Sequence, residues 1–212
     1  MTGPFARLNA LIAQKGGVRN LARILIEIAG YRTFSALYVP WLRVCGVRAA
    51  RGCNVYGFIR VVGDPRRIVL GEGCSIHSGV AFWTHDYGSG HGTIVLGRRV
   101  TCLRGVTFNS YERIEVGDDT AFGDGCYVQD NDHGTEPGIP VMQQDTHGSP
   151  IVIGQDVWFG ARSIVLKGVT VGDHTIVGAG SVVVKSLPAD SVAVGVPCRV
   201  VKTRGPGVSK AA

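Results

Sequence analysis

Small and aliphatic residues recur every six positions over much of the chain. A typical copy has an aliphatic residue, Gly, two polar or small residues, a small residue or Val, and any sixth residue, as at 70–75 and 116–121. The longest run begins at Ile153 and repeats without a break to about Pro188. Its later copies begin at Phe159, Val165, Val171, Val177 and Val183. Six copies in one register indicate a repeat architecture.

A period of six is a multiple of the two-residue strand period, but not of the 3.6-residue helix period. The lead aliphatic residue and the small residue four positions later therefore point to the same side of a strand. Gly at the second position permits a tight turn with positive φ. Three such turns close a coil of about eighteen residues, and coils stack through parallel β hydrogen bonds. The predicted fold class is all-β.

The composition agrees with this architecture. The chain has 212 residues, of which 31 are Gly, and Gly inside a helix costs about 1 kcal/mol relative to Ala, which argues against a helical bundle. Cys74, Cys126 and Cys198 each follow a lead residue by four positions, so we expect these thiols to fill the core. The cysteine spacing lacks a C-x-x-C pair, and no metal site is expected.

The repeat resembles that of the hexapeptide-repeat acyltransferases, over about residues 53–203 and most strongly over 116–202. Within this family it is most similar to the sugar O-acetyltransferases, relatives of the galactoside, maltose and nodulation-factor enzymes. The resemblance implies a left-handed parallel β-helix, a homotrimer and acetyl-CoA as acyl donor. The implied acceptor is a sugar hydroxyl, in the biosynthesis of a surface polysaccharide or glycolipid.

The repeat stops after Val128 and resumes at Ile151, and residues 134–150 are predicted to project as a loop. Long loops on a regular fold are often functional. His133 lies at the root of this loop, where the family has its catalytic histidine. The resemblance therefore implies that His133 is the general base, which takes the proton of the attacking hydroxyl. Asp130 could orient the imidazole, and Asp132 could contact the acceptor.

A second interruption of the repeat, Thr84-His85-Asp86-Tyr87, contains another candidate for the general base. Some relatives have their active histidine in such a segment, so His85 is either an alternative base or a residue of the acceptor pocket. Asn109 precedes His133 by one coil, where the family often has an Asn. Its amide could bind the acceptor or the oxyanion, or it could be a turn residue.

The resemblance places acetyl-CoA along the later coils, in a groove between subunits that needs small side chains. The matching positions are Trp158, Gly160, Ala161, Gly178, Ala179, Ser181, Lys185 and Arg199. Gly and Ala are also what the repeat itself requires, so a purely structural role is an equal alternative for Gly160 and Gly178. Lys202 and Arg204 add positive charge for phosphates.

The net charge of +6 is distributed unevenly. Residues 1–52 have a net charge of +7, residues 53–198 of −5, and residues 199–212 of +4. This division argues against a uniformly basic nucleic-acid-binding protein. It also suggests three parts, namely a basic helical segment (1–52), a β-helix acyltransferase domain (53–199) and a basic tail (200–212).

Two helices are predicted in the N-terminal segment. Apolar residues at helical spacing begin at Val18 and end at Gly30, and a second short helix over 34–38 ends before Pro40. The segment is a cap on the first coil, a basic amphipathic surface on an anionic membrane, or both. Neither a secretory signal nor a run of about 18 apolar residues is found. A cytoplasmic protein is expected, peripheral on the inner face of the membrane in the second case.

Other functions stay open at this point. The same fold and base would serve N-acetylation of an amino sugar or a serine-type acetylation. A γ-type carbonic anhydrase needs three His ligands, two of them five residues apart, whereas His85 and His91 are six apart. A non-catalytic β-helix is the third alternative, against which the projecting loop argues, since fold alone does not decide function.

Overall fold

A computed structural model describes residues 18–88 and 90–205, with side chains from residue 29 onward. Within these residues, one helix, α1 (Val18–Val44), precedes a series of short strands, and no helix is both long and apolar enough to cross a bilayer. Two 3₁₀ turns cover Pro65–Arg67 and Val141–Gln143.

The strands form three sheets that the chain visits in turn, and all pairs within them are parallel except β21 with β22. The first sheet contains β1 (Arg48–Ala49), β4 (Ile68–Leu70), β7 (Thr93–Leu96), β10 (Arg113–Val116), β15 (Ile151–Ile153) and β18 (Thr170–Val171). The second contains β2 (Asn54–Tyr56), β5 (Ser75–His77), β8 (Thr101–Cys102), β11 (Ala121–Phe122), β16 (Trp158–Phe159), β19 (Ile176–Val177), β21 (Ser191–Val194) and β22 (Arg199–Thr203). The third contains β3 (Arg60–Gly63), β6 (Ala81–Thr84), β9 (Thr107–Ser110), β12 (Tyr127–Gln129), β17 (Ile164–Val165) and β20 (Val182–Val183). A separate antiparallel pair consists of β13 (Asn131–His133) and β14 (Thr146–Gly148).

The lead residues of the hexads are stacked in register, so each sheet has one buried apolar column. In the first sheet this column is Leu70, Leu96, Val116, Ile153 and Val171. The aromatic members of the other two columns meet in the middle of the core, where the rings of Phe122 and Phe159 are stacked 4.9 Å apart and Phe108 meets Phe122 edge-on at 5.1 Å. The predicted parallel β-helix of hexapeptide repeats is present.

The predicted core position of the cysteines is confirmed. Cys74, Cys126 and Cys198 are all buried. Burial raises the pKa of the Cys126 and Cys198 thiols, which keeps them protonated. These residues behave as small apolar side chains.

The second hexad position requires Gly for a different physical reason from the positive φ that was expected. Positive φ occurs instead at the fourth position of the hexad, as at Gly73 (72°) and Arg99 (56°). At the second position a Cβ would collide with the backbone of the next coil. On Gly71 it would lie 2.3 Å from the carbonyl oxygen of Gly97. The second glycine is needed for close stacking of the coils, and not for φ.

This difference predicts unequal costs for two Gly→Ala substitutions. In Gly123→Ala the new Cβ would lie 2.5 Å from the amide nitrogen of Ala161, so backbone must move. We expect a loss near the upper end of the ~1–3 kcal/mol typical of overpacking. In Gly105→Ala the Cβ meets nothing within 4 Å, and only the positive φ costs about 1 kcal/mol. Urea unfolding of both variants measures the difference, and equal losses would contradict the stacking explanation.

The N-terminal segment is one helix, so the predicted division into two helices is wrong. α1 continues through Gly30 and Pro40 because its inner face packs against the first coil. Val39 and Leu42 are buried in the common core, and the Ser35 hydroxyl accepts a hydrogen bond of 2.9 Å from the amide of Val55. Packing of this face outweighs the local cost of the two helix-breaking residues. Predicted features at residues 1–17 lie outside the described residues.

The last coil is covered by a returning strand. β22 pairs antiparallel with β21, which places Arg199–Thr203 in the second sheet and not in a separate tail. The boundary expected at residue 200 therefore moves to after Thr203. Residues 206–212 lie outside the described part of the chain.

Candidate active site

The interruption after Val128 is a two-stranded hairpin. The chain leaves the third sheet after β12 and forms β13, which pairs antiparallel with β14 so that His133 lies opposite Thr146. The predicted loop at 134–150 therefore contains β14 and one 3₁₀ turn. His133, at the end of β13, is exposed.

His133 lines two grooves beside the hairpin. The first has a volume of about 430 Å³, and its polar side chains include Asp132, Glu136, Asp145 and Lys167. The second, of about 670 Å³, is bordered by Tyr87, Tyr111 and Met142. An exposed imidazole between a polar and a partly aromatic groove can reach a bound ligand on either side.

Two side chains hold the hairpin in place. The Lys167 ammonium, from the turn after β17, lies 2.5 Å from a carboxylate oxygen of Asp132, the residue next to His133. The side-chain amide of Gln144 accepts a 2.8 Å hydrogen bond from the backbone N–H of Glu136 and donates one of 2.8 Å to the backbone carbonyl of Ile139. Lys167 was not singled out from the sequence, because its partner is 35 residues away and no local pattern joins them.

Asp130 does not have the expected relation to His133. Its side chain is fully buried and its carboxylate accepts hydrogen bonds from four groups. The donors are the Ser110 hydroxyl (2.9 Å), the Tyr111 amide (2.6 Å), the Glu112 amide (2.9 Å) and the Asn131 side-chain amide (3.2 Å). The carboxylate thus closes the corner between two strands of the preceding coil, and the expected role in orienting the His133 ring is corrected to a structural one.

His85 and Asn109 meet on the outer side of the third sheet. His85 Nε2 lies 2.6 Å from Asn109 Oδ1, and Asn109 Nδ2 donates to the Tyr127 hydroxyl at 3.0 Å. The Asn109 amide is thus engaged at both ends. This arrangement fixes the His85 ring, and it leaves Asn109 less suited to holding an oxyanion.

An aromatic row extends from His85 towards the second groove. The Tyr87 ring meets His85 at 5.1 Å and Tyr111 at 5.5 Å, in both cases edge to face. Tyr87 is half exposed and lines the groove together with His133. The sequence had placed Tyr87 in the second interruption but offered no reason to assign it a contact.

The residues expected to bind acetyl-CoA divide into two groups. Trp158, Ala161, Ala179, Lys185 and Arg199 are exposed on the later coils. Gly160 and Gly178 form the second group. A Cβ on Gly160 would lie 2.4 Å from the Ala179 amide nitrogen, and a Cβ on Gly178 would lie 2.7 Å from a Val194 methyl group. Coil stacking alone therefore explains both glycines.

Ser181 is placed differently from the expectation. It is buried, and its hydroxyl accepts a 3.0 Å hydrogen bond from the Gly195 amide. The fifth hexad position points inward, so Ser181 supports the core and its side chain does not face a cofactor. Among the described residues no cluster of His, Cys, Asp or Glu could hold a metal ion, and His91 instead contacts Asp86 at 3.1 Å.

Comparison with known proteins links the repeat to a family. Residues 150–185 match the family model described as bacterial transferase hexapeptide (six repeats). The probable acetyltransferase Rv3034c of Mycobacterium tuberculosis is 33% identical over 180 residues, which cover 79% of this chain and 59% of that protein. The putative lipopolysaccharide biosynthesis O-acetyl transferase WbbJ of Escherichia coli is 31% identical over 160 residues, 72% of this chain and 80% of that protein.

Solved structures show the same fold. A maltose O-acetyltransferase from Clostridium difficile has a TM-score of 0.56 at 28% identity, covering 78% of this chain and 73% of that one. AntD, an N-acyltransferase from Bacillus cereus, has a TM-score of 0.67 at 21% identity and covers 78% and 88%, a likeness of fold alone. The predicted left-handed parallel β-helix is confirmed. This chain belongs to the hexapeptide-repeat acyltransferase family.

Proposed function

We propose that this protein transfers an acetyl group from acetyl-CoA to a sugar hydroxyl in the biosynthesis of a surface polysaccharide or glycolipid. The observation that supports this most is the exposed imidazole of His133, held on a hairpin between two grooves. The 31% identity to a protein named as a lipopolysaccharide O-acetyl transferase, of which 80% is covered, supports the acceptor class.

His133 acts as the general base in this proposal. One nitrogen of the neutral imidazole takes the proton of the sugar hydroxyl while that oxygen bonds to the thioester carbon. The resulting tetrahedral intermediate collapses, the carbon–sulfur bond breaks, and the imidazolium returns the proton to the departing CoA sulfur. The products are an acetyl ester and free CoA thiol, and no other reactant is consumed.

Neighbouring residues position the base and the acceptor. The ion pair between Lys167 and Asp132 holds the end of β13, and thereby fixes the position of the His133 backbone. His85, oriented by Asn109, contacts the acceptor as a polar partner at the end of the aromatic row. Asp132 lines the polar groove and is available to an acceptor hydroxyl.

The donor lies along the later coils in this proposal. The exposed Trp158 indole packs on the thiol arm of acetyl-CoA, beside the small exposed Ala161 and Ala179. Lys185 and Arg199 are exposed and positively charged, which suits the phosphates of the nucleotide end. A homotrimer, which the family resemblance implies, would complete this groove with a neighbouring subunit. We also propose a cytoplasmic location.

Thiol release measured across a panel of acceptors tests the proposed function. Purified protein and acetyl-CoA are mixed with neutral sugars, amino sugars and lipid-linked sugars, and free CoA thiol is followed with time. We expect acceptor-dependent release with at least one hydroxyl acceptor. Release only with amino sugars would instead establish the N-acetyltransferase alternative. An inert protein with the whole panel would contradict the proposal.

Tyr87 provides a sharper prediction about the acceptor. A sugar ring next to His133 would stack on the exposed face of Tyr87, and aromatic contacts of this kind are worth about 0.5–1.5 kcal/mol. We therefore expect Tyr87→Ala to raise KM for the acceptor by roughly 2- to 10-fold, with kcat and KM for acetyl-CoA little changed. Tyr87→Phe keeps the ring and should restore KM. An unchanged acceptor KM in Tyr87→Ala would remove Tyr87 from the site.

A further inference from the structure

The outer face of α1 presents large apolar side chains to solvent. Leu37, Trp41 and Val44 are 72%, 54% and 86% exposed, and the neighbouring Phe58 is 74% exposed. The three helical residues are four and three positions apart, so they lie on one face of the helix. We propose that these four residues form a docking surface for an anionic lipid bilayer.

This surface has no role in covering the β-helix. The opposite face of α1, with Ser35, Val39 and Leu42, already closes the first coil and is buried. A helix that is apolar on both faces normally has both faces covered. The outer face is therefore left without a partner within the described chain.

Aromatic rings connect Trp41 on the helix with Phe58 on the first coil. The Tyr38 ring is stacked 5.3 Å from Trp41 and meets Phe58 edge-on at 5.8 Å. Phe34 lies 5.3 Å from Phe58 and 5.0 Å from Tyr38. Trp and Tyr favour the boundary between acyl chains and water, because each combines an apolar ring with one polar group.

The positive charge of this segment favours an anionic partner. Residues 28–63 contain no Asp or Glu and five arginines, namely Arg32, Arg43, Arg48, Arg51 and Arg60. Within the described residues, none of these arginines forms an ion pair with a carboxylate, and Arg43 instead donates to the carbonyls of Ala49 and Ala50 at 2.9 and 2.8 Å. A segment that combines an apolar patch with arginines lacking carboxylate partners matches anionic headgroups above acyl chains.

The same charge disfavours a second copy of this chain as the occupant. Two copies of this surface facing each other would bring together two segments (28–63) that contain arginines and no acidic residue, and like charges across an interface repel. A bilayer that contains anionic lipid supplies the missing negative charge and an apolar interior together. Membrane docking is independent of the acyl-transfer chemistry, since it uses the first coil and not the His133 hairpin.

Vesicle co-sedimentation of the full-length protein tests this surface. The probes are vesicles of phosphatidylcholine alone and of phosphatidylcholine mixed with phosphatidylglycerol. We expect binding to the mixed vesicles that weakens with added salt, and a loss of about tenfold or more in the triple variant Leu37→Ser, Trp41→Ser, Val44→Ser. The matched control, Val196→Ser with Val201→Ser, removes two exposed apolar side chains from the last coil and should bind as the wild type does.

Three results would overturn the proposal. The first is equal sedimentation of the wild type and the triple variant when circular dichroism shows both folded. The second is a lipid-free dimer, seen by analytical ultracentrifugation, that the triple variant abolishes, since a second copy would then occupy the surface. The third is binding that appears only after deletion of residues 2–17, which would show that this segment covers the surface.

Discussion

Replacement of His133 by alanine is expected to lower kcat for acetyl transfer by about 10²–10⁴, the usual contribution of a general base. The imidazole is exposed on the hairpin, and its loss leaves the buried columns of the coils untouched. The thermal unfolding midpoint should therefore stay near that of the wild type. Initial rates of thiol release at saturating acetyl-CoA measure the effect.

Two other histidines serve as comparisons for this variant. His91→Gln changes an exposed loop residue outside the proposed site and should leave kcat unchanged. His85→Gln removes the ring bonded to Asn109 and should act mainly on acceptor KM. A fall in kcat for His85→Gln as large as that expected for His133→Ala, with His133→Ala nearly fully active, would make His85 the base.

Replacement of Asp130 by alanine is expected to lower the free energy of unfolding by at least about 3 kcal/mol. The buried carboxylate is the acceptor for the Ser110 hydroxyl and for the amides of Tyr111 and Glu112. Without it the two backbone amides lose this acceptor in a place that water does not reach, and each loss costs part of the desolvation energy, whereas the Ser110 hydroxyl can still donate to the Thr93 carbonyl at 3.0 Å. Urea unfolding measures the loss.

The neighbouring acid provides a matched control. Asp132→Ala removes a carboxylate that is more than half exposed and paired with Lys167, and exposed ion pairs contribute about 0–1 kcal/mol. Asp132→Ala should therefore unfold close to the wild type, and any defect should be seen in kcat. If Asp130→Ala were as stable as Asp132→Ala but far less active, Asp130 would be catalytic after all.

The hexad spacing predicted most of the fold because it acts locally. The lead residue and the residue four positions later share one side of a strand, which correctly placed Cys74, Cys126 and Cys198 in the core. The same rule, applied to Ser181, would have shown that its side chain points inward.

Features that depend on distant parts of the chain could not be predicted. Asp130 accepts from residues 18 to 20 positions earlier, and Lys167 reaches a residue 35 positions away. Such pairs are set by how the coils stack, which the local pattern does not contain. Gly30 and Pro40 indicated helix ends, but packing against the first coil overrides both. The break in the repeat is itself a local signal and correctly marked the hairpin, whereas the role of His133 as the base rests on the family resemblance and stays a prediction.

Mass spectrometry of the acceptor tests both the proposed O-acetylation and the role of His133. Wild-type protein and His133→Ala are each incubated with acetyl-CoA and the sugar acceptor, and the product is analysed before and after mild alkali. We expect one added acetyl group that alkali removes, as in an ester, and a yield from His133→Ala at least about 100-fold lower. An alkali-stable amide, or equal yields from the two proteins, would contradict the proposal.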